Sequence, residues 1–123
     1  MPRLSRLSLL LLLPLLAGPA RAAGPALEIT ATDPGLAARL GNGQSFSVRI
    51  AYRSDVPLRF ELQTYDGAEQ RRDMNNPKPL YAAGAGEAIA WIAFRKPAGI
   101  DRIQVVALGA DWQPLAQAGM AVD

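Results

Sequence analysis

Between residues 45 and 53, apolar and polar side chains alternate with a period of two. Phe46, Val48, Ile50 and Tyr52 stand against Ser45, Ser47, Arg49 and Arg53. In an extended chain that spacing gathers the apolar set on one side, whereas in a helix it would scatter it, so it dictates a half-buried β-strand. Leu58, Phe60 and Leu62 repeat the pattern against Arg59, Glu61 and Gln63. The short polar link through Ser54 and Asp55 predicts that these two strands pair antiparallel.

Other segments carry the same period less cleanly. Leu27, Ile29 and Ala31 mark a first strand, ended by Asp33-Pro34 and Gly35. Residues 87–95 are apolar on both phases, with Ile89, Trp91 and Ala93 on one and Ala88, Ala90, Ile92 and Phe94 on the other. That pattern fits a central strand buried on both sides, or a strand with one exposed apolar patch. Ile103, Val105 and Ala107 alternate with Arg102 and Gln104. A last strand over 115–122 offers Ala116, Ala118, Met120 and Val122 as an inner face. An extended piece at 80–82 brings the total to about seven.

Turn residues divide these strands at Gly41-Asn42-Gly43, Asp66-Gly67, Gly84-Ala85-Gly86, Pro97-Ala98-Gly99 and Gly109-Ala110-Asp111. One helical turn is suggested at 35–40 by Leu36, Ala37, Ala38 and Leu40, too short to count as an element. The expected fold class is all-β, a two-sheet antiparallel sandwich of about seven strands with immunoglobulin-like or fibronectin type III-like architecture.

The first 22 residues follow a different logic. Arg3 and Arg6 precede a leucine-rich stretch from Leu7 to Leu16, and Ala20 and Ala22 supply a small-x-small cleavage pattern. The apolar stretch is about half the ~20 residues a membrane-spanning helix needs, so it reads as a cleavable signal peptide over 1–22. No cysteine is present for lipid attachment, and the two arginines are not adjacent, so the general secretory pathway is the expected route. A single domain over 23–123, periplasmic or secreted and without a membrane span, is the corresponding expectation.

Removing the leader changes the charge balance. The whole chain holds 13 Lys+Arg and 11 Asp+Glu, for a net charge of +2. Without Arg3, Arg6 and Arg21, ten basic residues face eleven acidic ones, a net of −1. No basic stripe remains to bind phosphates, so nucleic acid is not an expected partner. Without cysteine, stability has to come from the apolar core and the hydrogen-bonded backbone.

The stretch 43–52 followed by 57–60 resembles the Gly-x-x-x-x-Val-x-Ile-x-Tyr second strand and the third strand of exported bacterial envelope sandwich domains. The resemblance covers about half of the chain beyond the leader and implies a fold, not an activity.

The catalytic vocabulary is thin. With no histidine, Ser-His-Asp and Cys-His arrangements are excluded. With no cysteine either, the usual zinc, copper and iron sites lack ligands. Gly84-Ala85-Gly86 lacks the third glycine of a dinucleotide fingerprint, and there is no phosphate-binding loop. Asp66 with Glu69 is the nearest approach to a calcium loop, without a dense Asp-x-Asp pattern. The carboxylates sit mostly at turns or on polar strand phases. The expectation is a non-enzymatic protein with no cofactor and no metal.

Binding is what remains. Asn75 and Asn76 open a Pro77-Lys78-Pro79-Leu80-Tyr81 segment that reads as a loop crossing between sheets, or as an ordered recognition loop rimmed by Arg71, Arg72 and Asp73. Trp91 is expected inside the sandwich. Trp112, between Asp111 and Gln113-Pro114, is placed at a loop, where it either folds over the end of the core or, with Tyr65 or Tyr81, anchors a partner or stacks on a sugar. The binding residues are therefore Trp112, Tyr81, Asn75, Asn76 and Tyr65. The functional expectation is an exported binding or accessory module of the bacterial cell envelope. It would act through contacts with another envelope or secreted protein. The alternative is a carbohydrate-binding module, with a polysaccharide lying along a row of exposed aromatics.

Overall fold

The alternation at residues 45–53 becomes a ten-residue strand, Ser45–Ser54, whose Phe46, Val48 and Ile50 are fully buried. The computed structural model describes residues 24–72 and 74–122; the expected leader over 1–22 lies outside the described residues, as do Ala23, Asp73 and Asp123. Ten strands follow in order: β1 (Ala26–Asp33), β2 (Ala38–Leu40), β3 (Ser45–Ser54), β4 (Arg59–Asp66), β5 (Glu69–Arg71), β6 (Met74–Asn75), β7 (Gly84–Phe94), β8 (Ala98–Ile100), β9 (Arg102–Leu108) and β10 (Pro114–Ala121). The described residues form no helix, so none is long and apolar enough to cross a membrane.

The pairings are antiparallel throughout. A first sheet has the order β1-β3-β7-β6, a second β10-β9-β4-β5, and β2 and β8 form a two-stranded ribbon. The inner faces share one core. β3 contributes Phe46, Val48 and Ile50, and β7 contributes Ala88, Ala90, Ile92 and Phe94. From the second sheet come Phe60, Leu62, Ile103, Val105 and Ala107, and the ribbon adds Leu40 and Ile100. Each fully buried large apolar side chain stabilises the fold by roughly 1.5–3 kcal/mol relative to exposure. The all-β, sandwich-like class expected from the periodicity is therefore what forms.

Several local expectations are corrected. β3 and β4 do not pair with each other; β3 lies between β1 and β7, and β4 between β9 and β5. Residues 55–57 carry the chain from one sheet to the other. Ser54 holds this crossing by donating from Oγ to Val56 O at 2.7 Å and accepting the Val56 N–H at 3.1 Å. The proposed helical turn at 35–40 is instead largely β2, whose Ala38 and Leu40 pair with Ile100 and Ala98. The Pro97-Ala98-Gly99 turn lies one step earlier, since Ala98 and Gly99 already belong to β8.

Gly84-Ala85-Gly86 is strand rather than turn. A Cβ on Gly86 would lie 3.0 Å from Tyr52 Oη, so glycine lets the Tyr52 ring lie against the strand and donate to Ala82 O at 2.9 Å. In β10, Ala116 and Ala118 are half-buried, but Met120 and Val122 are 42% and 47% exposed rather than inner. β10 is the outermost strand of its sheet, and residues 119–122 toward its far end are exposed.

Candidate functional site

Arg59, the first residue of β4, joins the two segments expected to bind. Its guanidinium lies 4.4 Å from the centroid of the Trp112 ring, and its Nη1 donates to Lys78 O at 2.7 Å. Arg59 points outward because Phe60, Leu62 and Thr64 take the inward phase of β4. Trp112 sits in the loop from β9 to β10, closed by Gly109 N–H to Gln113 O and Trp112 N–H to Gly109 O, both at 2.9 Å. Its φ of 69° is a left-handed conformation that bulky residues rarely adopt. The tryptophan is thus held in a strained position with a cation over one side of its ring.

The loop after β6 is held from inside the molecule as well. After β6, Asn76 Nδ2 donates to Leu62 O at 2.7 Å and Lys78 Nζ donates to Asn76 O at 3.0 Å. Tyr81 then bridges to Leu58 in both directions, N–H to O at 2.7 Å and O to N–H at 3.0 Å. The segment leaves the first sheet after β6, touches the second at Leu58 and Leu62, and returns to the first sheet at β7, so it loops back rather than crossing between the sheets as the sheet-crossing reading expected. Asn75 ends β6 opposite Ala93, and its side chain lies outside what the structure describes.

Tyr81 is half-buried among aromatic rings. Its ring centroid is 5.6 Å from that of Phe60 and 6.3 Å from that of Tyr52, and Tyr52 and Phe60 are 5.5 Å apart. Its hydroxyl donates to Ile89 O at 3.2 Å. Tyr81 therefore acts as a packing residue at the seam between the sheets. Tyr65 is at the far end of β4 from Arg59, with the Arg102 guanidinium 3.8 Å from its ring centroid and its hydroxyl donating to Gln63 at 3.3 Å. Over six residues of strand, at about 3.3 Å each, Tyr65 and Trp112 are held roughly 20 Å apart on the outer face of the second sheet.

Trp91 is the principal correction. It is 44% exposed, not core, and beside it on the same outward phase of β7 Ile89 is 47% exposed. The inner phase of β7 carries Ala88 and Ala90, which lie in register with Ile50 and Val48 on the inner face of β3. The core at that level is filled by large residues of β3 and β4, leaving room for alanine but not for an indole. Outside, Ser47 lies beside Trp91 and Arg49 beside Ile89. Arg49 pairs with Glu87 at 2.9 Å, and a shallow hollow of about 130 Å³ is lined by Ala31, Thr32, Asp33, Ser47, Arg49 and Ile89. No other ring and no cation stacks on Trp91 among the described residues.

The aromatics thus occupy three places. Trp91 lies on the outer face of the first sheet, Trp112 and Tyr65 at opposite ends of the second, and Tyr81 in the seam. They form no flat row. No group of three acidic side chains gathers to hold a metal among the described residues. Arg59 is the site residue that the pattern does not single out, while Ile89 and Trp91 form the exposed apolar patch that was one of the two readings of residues 87–95. Ile89 and Trp91 had a signal, the apolar outer phase of residues 87–95; Arg59 had none to separate it from the other strand arginines. Compared with known proteins, the chain matches no family model, no curated protein and no solved structure.

Proposed function

We propose that this protein is an exported, non-enzymatic binding module of the bacterial cell envelope that recognises another protein through the outer face of its first sheet. The observation that carries the reading is the adjacent pair Ile89 and Trp91, both close to half exposed on a regular strand, next to the hollow at residues 31–33. Exposed tryptophan on a rigid element is the residue type that most often anchors a protein interface, and the Arg49–Glu87 pair supplies a polar rim. The sheet orders β1-β3-β7-β6 and β10-β9-β4-β5 support the finer reading of an immunoglobulin-like sandwich, in which surfaces and loops carry function. The leader pattern at 1–22 supports export.

The test is affinity capture from the envelope fraction of the producing cell, with the wild-type protein and Trp91→Thr immobilised in parallel. The expected result is one protein retained in stoichiometric amount by wild type and lost with Trp91→Thr, while Trp112→Ala still retains it. Retention on polysaccharide beads, lost with Trp112→Ala and unchanged by Trp91→Thr, would replace this reading with the carbohydrate-binding one.

A further inference from the structure

The sheet edges of this molecule are guarded unequally. β5 and β6 are three and two residues long, and β2 and β8 three each. β1 carries Glu28 and Asp33, and its register shifts between Ile29 and Ala31. Short length, charge and bulges are the devices that keep an edge from pairing with another chain. β10 has none of them past its start: eight residues long, it bears no charged side chain, and its one register shift lies between Pro114 and Ala116. Gly24 comes close to the beginning of the strand, where a Cβ would lie 3.4 Å from Leu115 O. Beyond that point Gln117 and residues 119–122 are exposed.

The free backbone groups can be assigned. Val122 donates its N–H to Asp101 O at 3.1 Å. In an antiparallel pair alternate residues face the neighbour, so Ala116, Ala118, Met120 and Val122 bond toward β9. Gln117, Gly119 and Ala121 turn their N–H and C=O groups away from the sheet.

We propose that the occupant of this edge is a second copy of the same chain, its β10 added antiparallel about a two-fold axis at Gly119. That register joins Gly119 to Gly119 of the second copy and Gln117 to Ala121 of the second copy through the outward-facing backbone groups. It also sets small against large along the strand: Ala118 meets Met120, and Ala116 meets Val122. The first half of the segment is small and the second half large on the inward phase, so self-pairing in this direction fits where parallel pairing would stack Met120 on Met120. No charge meets a like charge, since neither edge carries one. The exposed Met120 and Val122 are covered, and β5-β4-β9-β10 continues into its symmetry mate as a closed two-fold dimer.

The test is sedimentation equilibrium of the purified protein, with Gly119→Lys and Gly119→Glu. A Cβ at 119 meets only Ile103 O, at an ordinary 3.5 Å, so both variants are compatible with the fold. Wild type is expected to show a dimer fraction that rises with concentration. Each variant alone, placing like charges across the axis, raises the dissociation constant by roughly two- to fivefold, and an equimolar mixture of the two recovers association. Amide hydrogen exchange on the wild type supplies a readout free of mutation, with Gln117, Gly119 and Ala121 gaining protection as concentration rises. A wild type that stays monomeric, or a dimer indifferent to charge at 119 and to protection of these amides, overturns the proposal.

Discussion

Trp91 and Trp112 leave similar fractions of their surface in water, 44% and 53%, but they are held in unlike ways. Trp112 occupies a left-handed backbone position in a loop, with Arg59 over its ring and Arg59 tied in turn to Lys78 O. Trp91 stands on the unstrained middle of β7, in register with Ser47, with no stacking partner among the described residues. Similar exposure therefore has different meanings. One indole is already engaged within the molecule and helps fasten a loop to a strand; the other has a free face on a rigid sheet. The free one is better placed to serve a partner.

The contrast extends to the arginine beside each tryptophan's strand or loop, and substituting both arginines gives the largest expected effect. Arg59→Ala removes a charged hydrogen bond to Lys78 O and the stack on Trp112, and is expected to cost roughly 2–3 kcal/mol in urea unfolding. Arg49→Ala on the other face breaks only an exposed pair with Glu87, whose side chains are 49% and 54% exposed, and is expected to cost less than about 1 kcal/mol. Equal losses would mean that the two faces are held alike, and the comparison would fail.

The next effect is a difference between two changes at one position. Trp112→Ala loses the cation–π contact, worth roughly 0.5–1 kcal/mol, while keeping a side chain at a positive φ. Trp112→Gly loses the same contact but relieves a backbone penalty of roughly 1–2 kcal/mol. The glycine variant is thus expected to be about 1 kcal/mol or more the stabler of the two by denaturant midpoint. Identical stabilities would show that the loop conformation carries no strain.

Which parts of this arrangement were legible follows from which forces are local. Phe46, Val48 and Ile50 in β3, and Phe60 and Leu62 in β4, announce their inward phase because each alternates with polar neighbours. The partner of β3 was not legible, because a short polar link closes a hairpin and crosses between sheets with much the same residues; the choice is made by packing of the whole core. Trp91 was misplaced for a related reason. Both phases of residues 87–95 are apolar, so hydrophobicity alone does not choose between them. The volume left by Val48 and Ile50 does, and it admits Ala88 and Ala90. The Arg59 link to Trp112 and Lys78 joins residues 19 and 53 positions away and leaves no local trace.

Trp91→Thr carries the smallest expected effect on stability. Threonine, like tryptophan, suits a strand, the site is solvent-facing, and the lost indole packs against no ring, so the unfolding free energy is expected to change by no more than about 0.5 kcal/mol. A core tryptophan truncated so far would instead cost several kcal/mol. The measurement therefore bears directly on where the indole sits. A near-silent unfolding curve together with loss of the captured protein would mean that Trp91 is maintained for an encounter outside the molecule. A large loss of stability would return Trp91 to the core and leave the outer face of the first sheet without its anchor.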